Sequence, residues 1–161
     1  MNLGTGHVIK PCFWFDGQAE AAAAFYTHVL GGELGAISRY GDGAPFPAGT
    51  ALMVEFSLRG QSFQALNGGA MYRLSPAVSL SITCDTQTEL DALWHALLAN
   101  GGSESRCGWL TDQFGLSWQV VPAGMGAIFG GADKAGAARA MQAMMGMRKL
   151  DIRALQAAYT G

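Results

Sequence analysis

Two glutamines stand at matching places in a phrase the chain writes twice: Gln64 lies in GQSFQAL (60–66) and Gln119 in GLSWQVV (115–121). A glutamine amide offers two N–H donors and one carbonyl acceptor without charge, so it can orient a ligand by hydrogen bonds but is a weak partner for a transition metal. Ser79, Ser81 and Thr83 alternate with Val78, Leu80 and Ile82, which puts a stripe of hydroxyls on one face of a strand. Glu55, between Met53 and Ser57, is the carboxylate placed to bring acid–base chemistry to the same cavity; an exposed strand position accounts for it equally well. Trp14, Trp109 and Asn67 are candidates for the mouth of a site that takes a planar ligand, although Asn67-Gly68 is also a common turn pair.

Other chemistry lacks its residues. The segment GLSWQ is not a GxSxG nucleophile elbow, and neither HExxH, GxxxxGKS/T nor GxGxxG occurs. Cys12, Cys84 and Cys107 are odd in number and form no CxxC pair, which supports neither a disulfide framework nor a zinc ribbon and fits a reducing cytoplasm. Charged residues make up 14% of the chain, the formal net charge is −2, and no Lys/Arg cluster marks a nucleic-acid binder. The N-terminus does not read as a signal peptide, and residues 115–132 are too rich in Gly and Pro for a membrane helix, so a strand and loop are expected there. With half its residues hydrophobic and few charges, the chain is expected to cover apolar surface as a homodimer.

The elements that must position these residues repeat. VIKPCFWF (8–15) reads as a strand, Asp16 as the cap of the helix that follows, and Gly31-Gly32 as its end. A weaker strand over 33–40 precedes a Gly/Pro loop. In ALMVEFSL, Leu52, Val54, Phe56 and Leu58 share one face of a half-buried strand, joined through Arg59-Gly60-Gln61 to the strand of Gln64. The pattern then restarts: AVSLSITC (77–84), a helix opened by the Thr86/Glu89 capping box with Leu90, Leu93, Trp94 and Leu97 on one face, Gly101-Gly102, and two strands around an Asp112–Gly115 turn. DGQAE at 16–20 answers DTQTE at 85–89, and the two diglycines follow at almost the same offset. Three landmarks repeated in order define a module. If each glutamine faces the cavity, Ser62, Leu66, Ser117 and Val121 face it too, and Phe63 and Trp118 pack under the helices. Two helical segments within 133–159 follow the repeat, with methionines 141, 144, 145 and 147 at helical spacing for packing.

A tandem βαβββ module, with FY…VLGGE closing the first helix and D-x-F-G-x-x-W before the last strand, resembles the vicinal oxygen chelate superfamily of glyoxalase I, extradiol dioxygenases and bleomycin-resistance proteins. PCFWFDGQAEAAAAFY, FQALNGG, CDTQTELDALW, CGWLTDQFGLSWQVVP and MQAMMGMRKLDIRAL are similar to the PhnB-like branch, whose members are often labelled 3-demethylubiquinone-9 3-methyltransferase domain proteins. The resemblance spans about residues 8–158. It implies an α+β fold and one glyoxalase-like domain over 1–161, with modules at about 8–70 and 77–122 and a helical extension at about 133–159. Metal-using members of the superfamily draw one ligand from the first and one from the last strand of each module. Gln64 and Gln119 fall at the last-strand positions; Ile9, Lys10 or Pro11 and Val78 or Ser79 are the first-strand candidates, and none is a usual ligand. His28 and His95 lie on the repeat helices, leaving His7 as the residual histidine.

The expectation is therefore a binder of a small organic molecule in a polar, largely uncharged and metal-free cavity, with no cofactor and neither nucleic acid nor membrane as partner. Gln64, Gln119 and Ser79 would make the principal hydrogen bonds. The alternative is an enzyme using an atypical metal site or Glu55. A methyltransferase would need a parallel sheet with a glycine-rich turn for S-adenosylmethionine, which this sequence lacks.

Overall fold

Alternation of apolar and polar residues builds the first unit of the computed structural model, which describes residues 9–161 and divides into compact units on either side of Leu74/Ser75. In the first unit β1 (Cys12–Phe15), α1 (Ala19–Leu30), β2 (Gly32–Arg39), β3 (Ala51–Leu58) and β4 (Gln61–Asn67) form a sheet in the order β1-β4-β3-β2. Strand β1 runs parallel to β4, and the other pairs are antiparallel. Val54, Phe56 and Leu58 of β3 and Phe63 and Ala65 of β4 are buried, while Met53, Glu55, Ser57, Ser62, Gln64 and Leu66 lie on the other, open face. Leu52, expected in the core, does not join it. A register shift opposite Ser38 and Arg39 bulges β3 there, and Ala51 is buried in its place.

Helix α1 covers the closed face with Ala19, Ala22, Ala23, Tyr26 and Leu30, a spacing of three to four residues that makes one apolar stripe. Its small alanines let the helix approach the sheet, and Tyr26 meets Phe56 with ring centroids 6.2 Å apart. The expected cap is corrected. Asp16 is exposed and Gln18 is the N-cap residue, without a side-chain bond. The orphan N–H of Ala19 donates instead to Oδ1 of Asn67 at 2.9 Å. Strands β3 and β4 are joined by a two-residue turn with Arg59 at φ 47° and Gly60 at φ 84°, the positive pair that matches hairpin twist.

The second unit repeats the plan. Here β5 (Ser79–Cys84), α2 (Gln87–Leu98), β6 (Ser103–Glu104), β7 (Trp109–Thr111) and β8 (Ser117–Pro122) form a sheet in the order β5-β8-β7-β6, again with its outer strand parallel to the last. Thr86 accepts from Glu89 N–H at 3.1 Å, and α2 buries Leu90, Leu93, Trp94 and Leu97 as the sequence implied. The 115–132 segment does not end as strand and loop, because α3 (Met125–Gly130) follows β8. This helix is a single short run with no buried residue, which gives no periodic signal to read.

Helices α4 (Lys134–Met145) and α5 (Ile152–Thr160) belong to this unit, capped by Asp133 and Asp151. Leu150, Leu155 and Ala140 are fully buried. The extension is pinned by Gln87, whose Nε2 donates to the Leu150 carbonyl at 3.0 Å while its Oε1 accepts from Ile152 N–H at 2.9 Å. Among the described residues no helix is long and apolar enough to cross a membrane.

Candidate functional site

The open face of the first sheet is organised by one carboxylate. Glu55 on β3 accepts from Lys10 Nζ at 3.0 Å and from Gln64 Nε2 at 3.2 Å, both at the same Oε1. Glu55 and Gln64 are cross-strand partners, and a glutamate at 64 would set two like charges opposite each other, a destabilising pair. A neutral amide avoids this and donates. The Lys10 ammonium, then the Gln64 amide, hold the Glu55 carboxyl below its ordinary range. A depression of about 170 Å³ adjoins the pair, lined among others by Lys10, Glu33, Gly35, Glu55, Ser57 and Ser62. The expectation of a largely uncharged surface is thus corrected for this unit.

In the second unit Gln119 Nε2 donates to Ser79 Oγ at 2.9 Å. Trp109, half-buried on β7, pairs across the strands with Gln119. The two faces correspond residue by residue. Gln64 pairs with Glu55 on one side and Cys12 on the other; Gln119 pairs with Trp109 and Ser81. The offset from Cys12 to Ser81 equals that from Lys10 to Ser79. So Lys10, Glu55 and Gln64 in one module stand where Ser79, Trp109 and Gln119 stand in the other.

Ser81 is exposed beside Gln119. Ser117, two residues before that glutamine, is buried with an Oγ that has no hydrogen-bond partner among the described residues. Phe63 and Trp118 sit in the cores of their units. Trp14 shares the open face with Gln64, but it is anchored: its Nε1 donates to the Gly69 carbonyl at 2.7 Å, and its ring meets Tyr72 edge-on with centroids 5.0 Å apart. A Cβ on Gly68 would run into the Trp14 ring, so one indole face is covered by backbone. Asn67 does not line a mouth. It is 1% exposed, its Oδ1 holds Ala19 N–H, its Nδ2 donates to the Ala51 carbonyl at 2.8 Å, and its own carbonyl accepts from Tyr40 Oη. His7 lies outside the described residues.

Beside the two glutamines the described residues offer one carboxylate, Glu55, and one thiol, Cys12, of the usual metal-ligand types. Parallel pairing sets Cys12 and Ser81 directly opposite the two glutamines in the strand register, and of the first-strand residues the sequence offered, Ser79 reaches Gln119 through its side chain. Although Cys12 is exposed along its strand, desolvation at the sulfur pushes its thiol up. Among the described residues no three His, Cys, Asp or Glu side chains gather to hold an ion.

Two residues with the look of chemistry have other roles that sequence reasoning missed. Asp112 of the D-x-F-G-x-x-W phrase is buried; Oδ1 accepts from Phe114 and Leu116 N–H, and Oδ2 from Trp118 Nε1 at 2.8 Å. One carboxylate therefore sets the β7–β8 turn and fixes the indole packed beneath the glutamine strand. Lys10 enters the sequence reading only as a metal-ligand position; its spacing from Ser79, equal to that of the repeated helix starts, is the signal that could have placed it.

A family model described as 3-demethylubiquinone-9 3-methyltransferase matches residues 7–121. Among solved structures the chain is similar to the PhnB protein from Bacillus cereus, with 34% identity over 73% of this chain and 100% of that one and a TM-score of 0.66. It is also similar to protein PA1353 from Pseudomonas aeruginosa, at 26% identity, 73% and 98% coverage and a TM-score of 0.59. The fosfomycin resistance protein FosX from Listeria monocytogenes, solved with Mn(II) and sulfate, shares the fold at 13% identity, 71% and 90% coverage and a TM-score of 0.51. Comparison with curated proteins gave no match.

Proposed function

We propose, for a chain that belongs to the PhnB-like family described as 3-demethylubiquinone-9 3-methyltransferase and has the vicinal oxygen chelate fold, that its open sheet faces bind a small, partly aromatic organic molecule by hydrogen bonds and without a divalent metal. The observation that carries this reading is the pair of equivalent glutamines. Each has its amide N–H engaged by a neighbour, Glu55 or Ser79, while its carbonyl oxygen has no partner among the described residues. The Glu55 carboxylate can only accept from Gln64 at neutral pH, so the first of these carbonyls is fixed as the free acceptor. Trp14 on one face and Trp109 on the other supply aromatic surface beside the amides.

Acid–base catalysis through Glu55 is the weaker reading. A general base works best with a pKa near the operating pH, and Lys10 moves Glu55 the other way. Use of S-adenosylmethionine, suggested by the family description alone, finds no support in two four-stranded mixed sheets without a glycine-rich βα turn.

The test is a thermal-shift screen of neutral and singly charged aromatic compounds, followed by calorimetry on the hits. The double variant Gln64→Ala, Gln119→Ala should lose ~1–3 kcal/mol of binding for each ligand group left unpaired. Unchanged affinity would make the glutamines merely structural. About one equivalent of zinc, nickel, iron or manganese per chain after mild purification would overturn the metal-free part.

A further inference from the structure

Away from the open faces, the second unit gathers sulfur. Cys107, in the loop between β6 and β7, places its Sγ 3.8 Å from the Met145 Sδ at the end of α4 and 3.6 Å from the Met144 carbonyl. The approach is built from both sides. Cys107 adopts φ 57°, a left-handed conformation that non-glycine residues enter only at a cost. Its N–H donates to the Met147 carbonyl at 2.8 Å, and the next N–H, of Gly108, donates to the Arg148 carbonyl at 2.7 Å. The segment that follows α4 thus clamps the loop carrying the thiol. Met141 lies one turn before Met145 on the same helical face. The two thioether residues, Met141 at 41% and Met145 at 52%, are exposed instead of filling the core.

We propose that Cys107 and Met145, completed by Met141, form a binding site for a soft monovalent metal ion, Cu(I) by chemical class. Thiolate and thioether donors select Cu(I) over divalent ions that prefer imidazole or carboxylate. With metal–sulfur distances of about 2.3 Å, as for zinc thiolates, sulfurs 3.8 Å apart subtend roughly 110° at a shared ion. That angle is bent, not linear, so it leaves a place for a third sulfur, for which Met141, one turn earlier on α4, is the candidate donor. Zinc is disfavoured because one thiolate and two neutral thioethers neither complete its tetrahedron nor match its charge. Binding needs no oxidant: Cu(I) is taken up as Cu(I), the Cys107 S–H bond breaks, a Cu–S bond forms and one proton passes to the buffer.

The full chain is titrated anaerobically against the Cu(I) complex of a coloured bidentate chelator, with proton release followed in weak buffer. Wild type should withdraw one Cu(I) per chain and release one proton. Cys107→Ser should abolish both. Met145→Leu, at an exposed position, should weaken uptake about tenfold or more, the scale on which even outer-shell changes weaken metal sites. Cys12→Ser and the double glutamine variant should bind as wild type does. Lack of competition by wild type at micromolar free Cu(I), uptake that survives both Cys107→Ser and Met145→Leu, or loss of uptake in Cys12→Ser would each overturn the proposal. Since the glutamine variants are predicted to matter only for the organic ligand, failure here leaves the open-face reading standing, and the converse holds.

Discussion

Replacing Asn67 with Ala should cost the first unit a large share of its stability while removing nothing that a ligand could reach. The side chain is buried and serves two partners, the first N–H of α1 and the Ala51 carbonyl. Losing a helix cap costs ~0.5–2 kcal/mol. A buried carbonyl left without its donor costs about 1–3 kcal/mol. Because one side chain serves both, the terms do not simply add, and we expect about 2–4 kcal/mol in total. With a urea dependence of roughly 2 kcal/mol/M, the midpoint should fall by about 1–2 M. Urea unfolding followed by circular dichroism measures the midpoint, and amide exchange at Ala19 to Ala23 reports whether the loss begins at the helix start. A variant within about 0.5 kcal/mol of wild type, the scatter of ordinary surface changes, would refute the assignment of Asn67 to the framework and return it to the ligand contacts.

Asp112→Asn should destabilise the protein by ~1–3 kcal/mol, because an amide cannot accept both from the turn N–H groups and from Trp118 without aiming N–H at N–H; chemical denaturation with tryptophan fluorescence checks it. Lys10→Met should raise the Glu55 pKa toward the ordinary glutamate value. In wild type the depressed pKa means the Lys10–Glu55 pair contributes above the unfolded carboxyl pKa and is lost as pH falls through the folded one. Carbon-detected NMR titration of Glu55 should therefore show the variant protonating at higher pH, and an unmoved titration would deny the pair in solution. Gln87→Ala should release α5, seen as faster hydrogen exchange over 150–160 with little change in α2; unchanged exchange would mean that burial of Leu150 and Leu155 suffices. Exposed Met71, Tyr72 and Val78 motivate the homodimer, which light scattering at micromolar concentration should find and a monomer mass would contradict.

The parts of the fold that repeat or alternate were legible in the sequence. The strand of Val54, Phe56 and Leu58 and the apolar stripe of Leu90, Leu93, Trp94 and Leu97 are local patterns whose period names the element. Of the candidate site, only the placement that inherits that period was legible: the positions of Gln64, Gln119 and Ser79 on their strands follow from alternation and the offset of the repeat. What escaped was long-range. The contact between Lys10 and Glu55 spans 45 residues, that between Ala19 and Asn67 spans 48, and Gln87 reaches 63 residues to Leu150. Nothing local in Asn67-Gly68 distinguishes a turn from a helix cap, since the same amide serves either. The bulge at Leu52 and the short α3 similarly carry no periodic signature.

The correspondence of Lys10, Glu55 and Gln64 with Ser79, Trp109 and Gln119 has a bearing on how a duplicated module can change. An amide is indifferent to the sign of its surroundings: it donates to a carboxylate in one copy and to a hydroxyl in the other without altering its own charge. A carboxylate at those two points would constrain both copies alike, because each would need a cation or a proton nearby and neither could acquire a Glu55 of its own. With glutamine as the fixed member, either module can exchange the residue opposite for a charge or an indole while the other stays as it is. Each face is then free to drift in its own charge and shape, so that the two copies of one module come to differ through few substitutions while the strands that carry them keep their register.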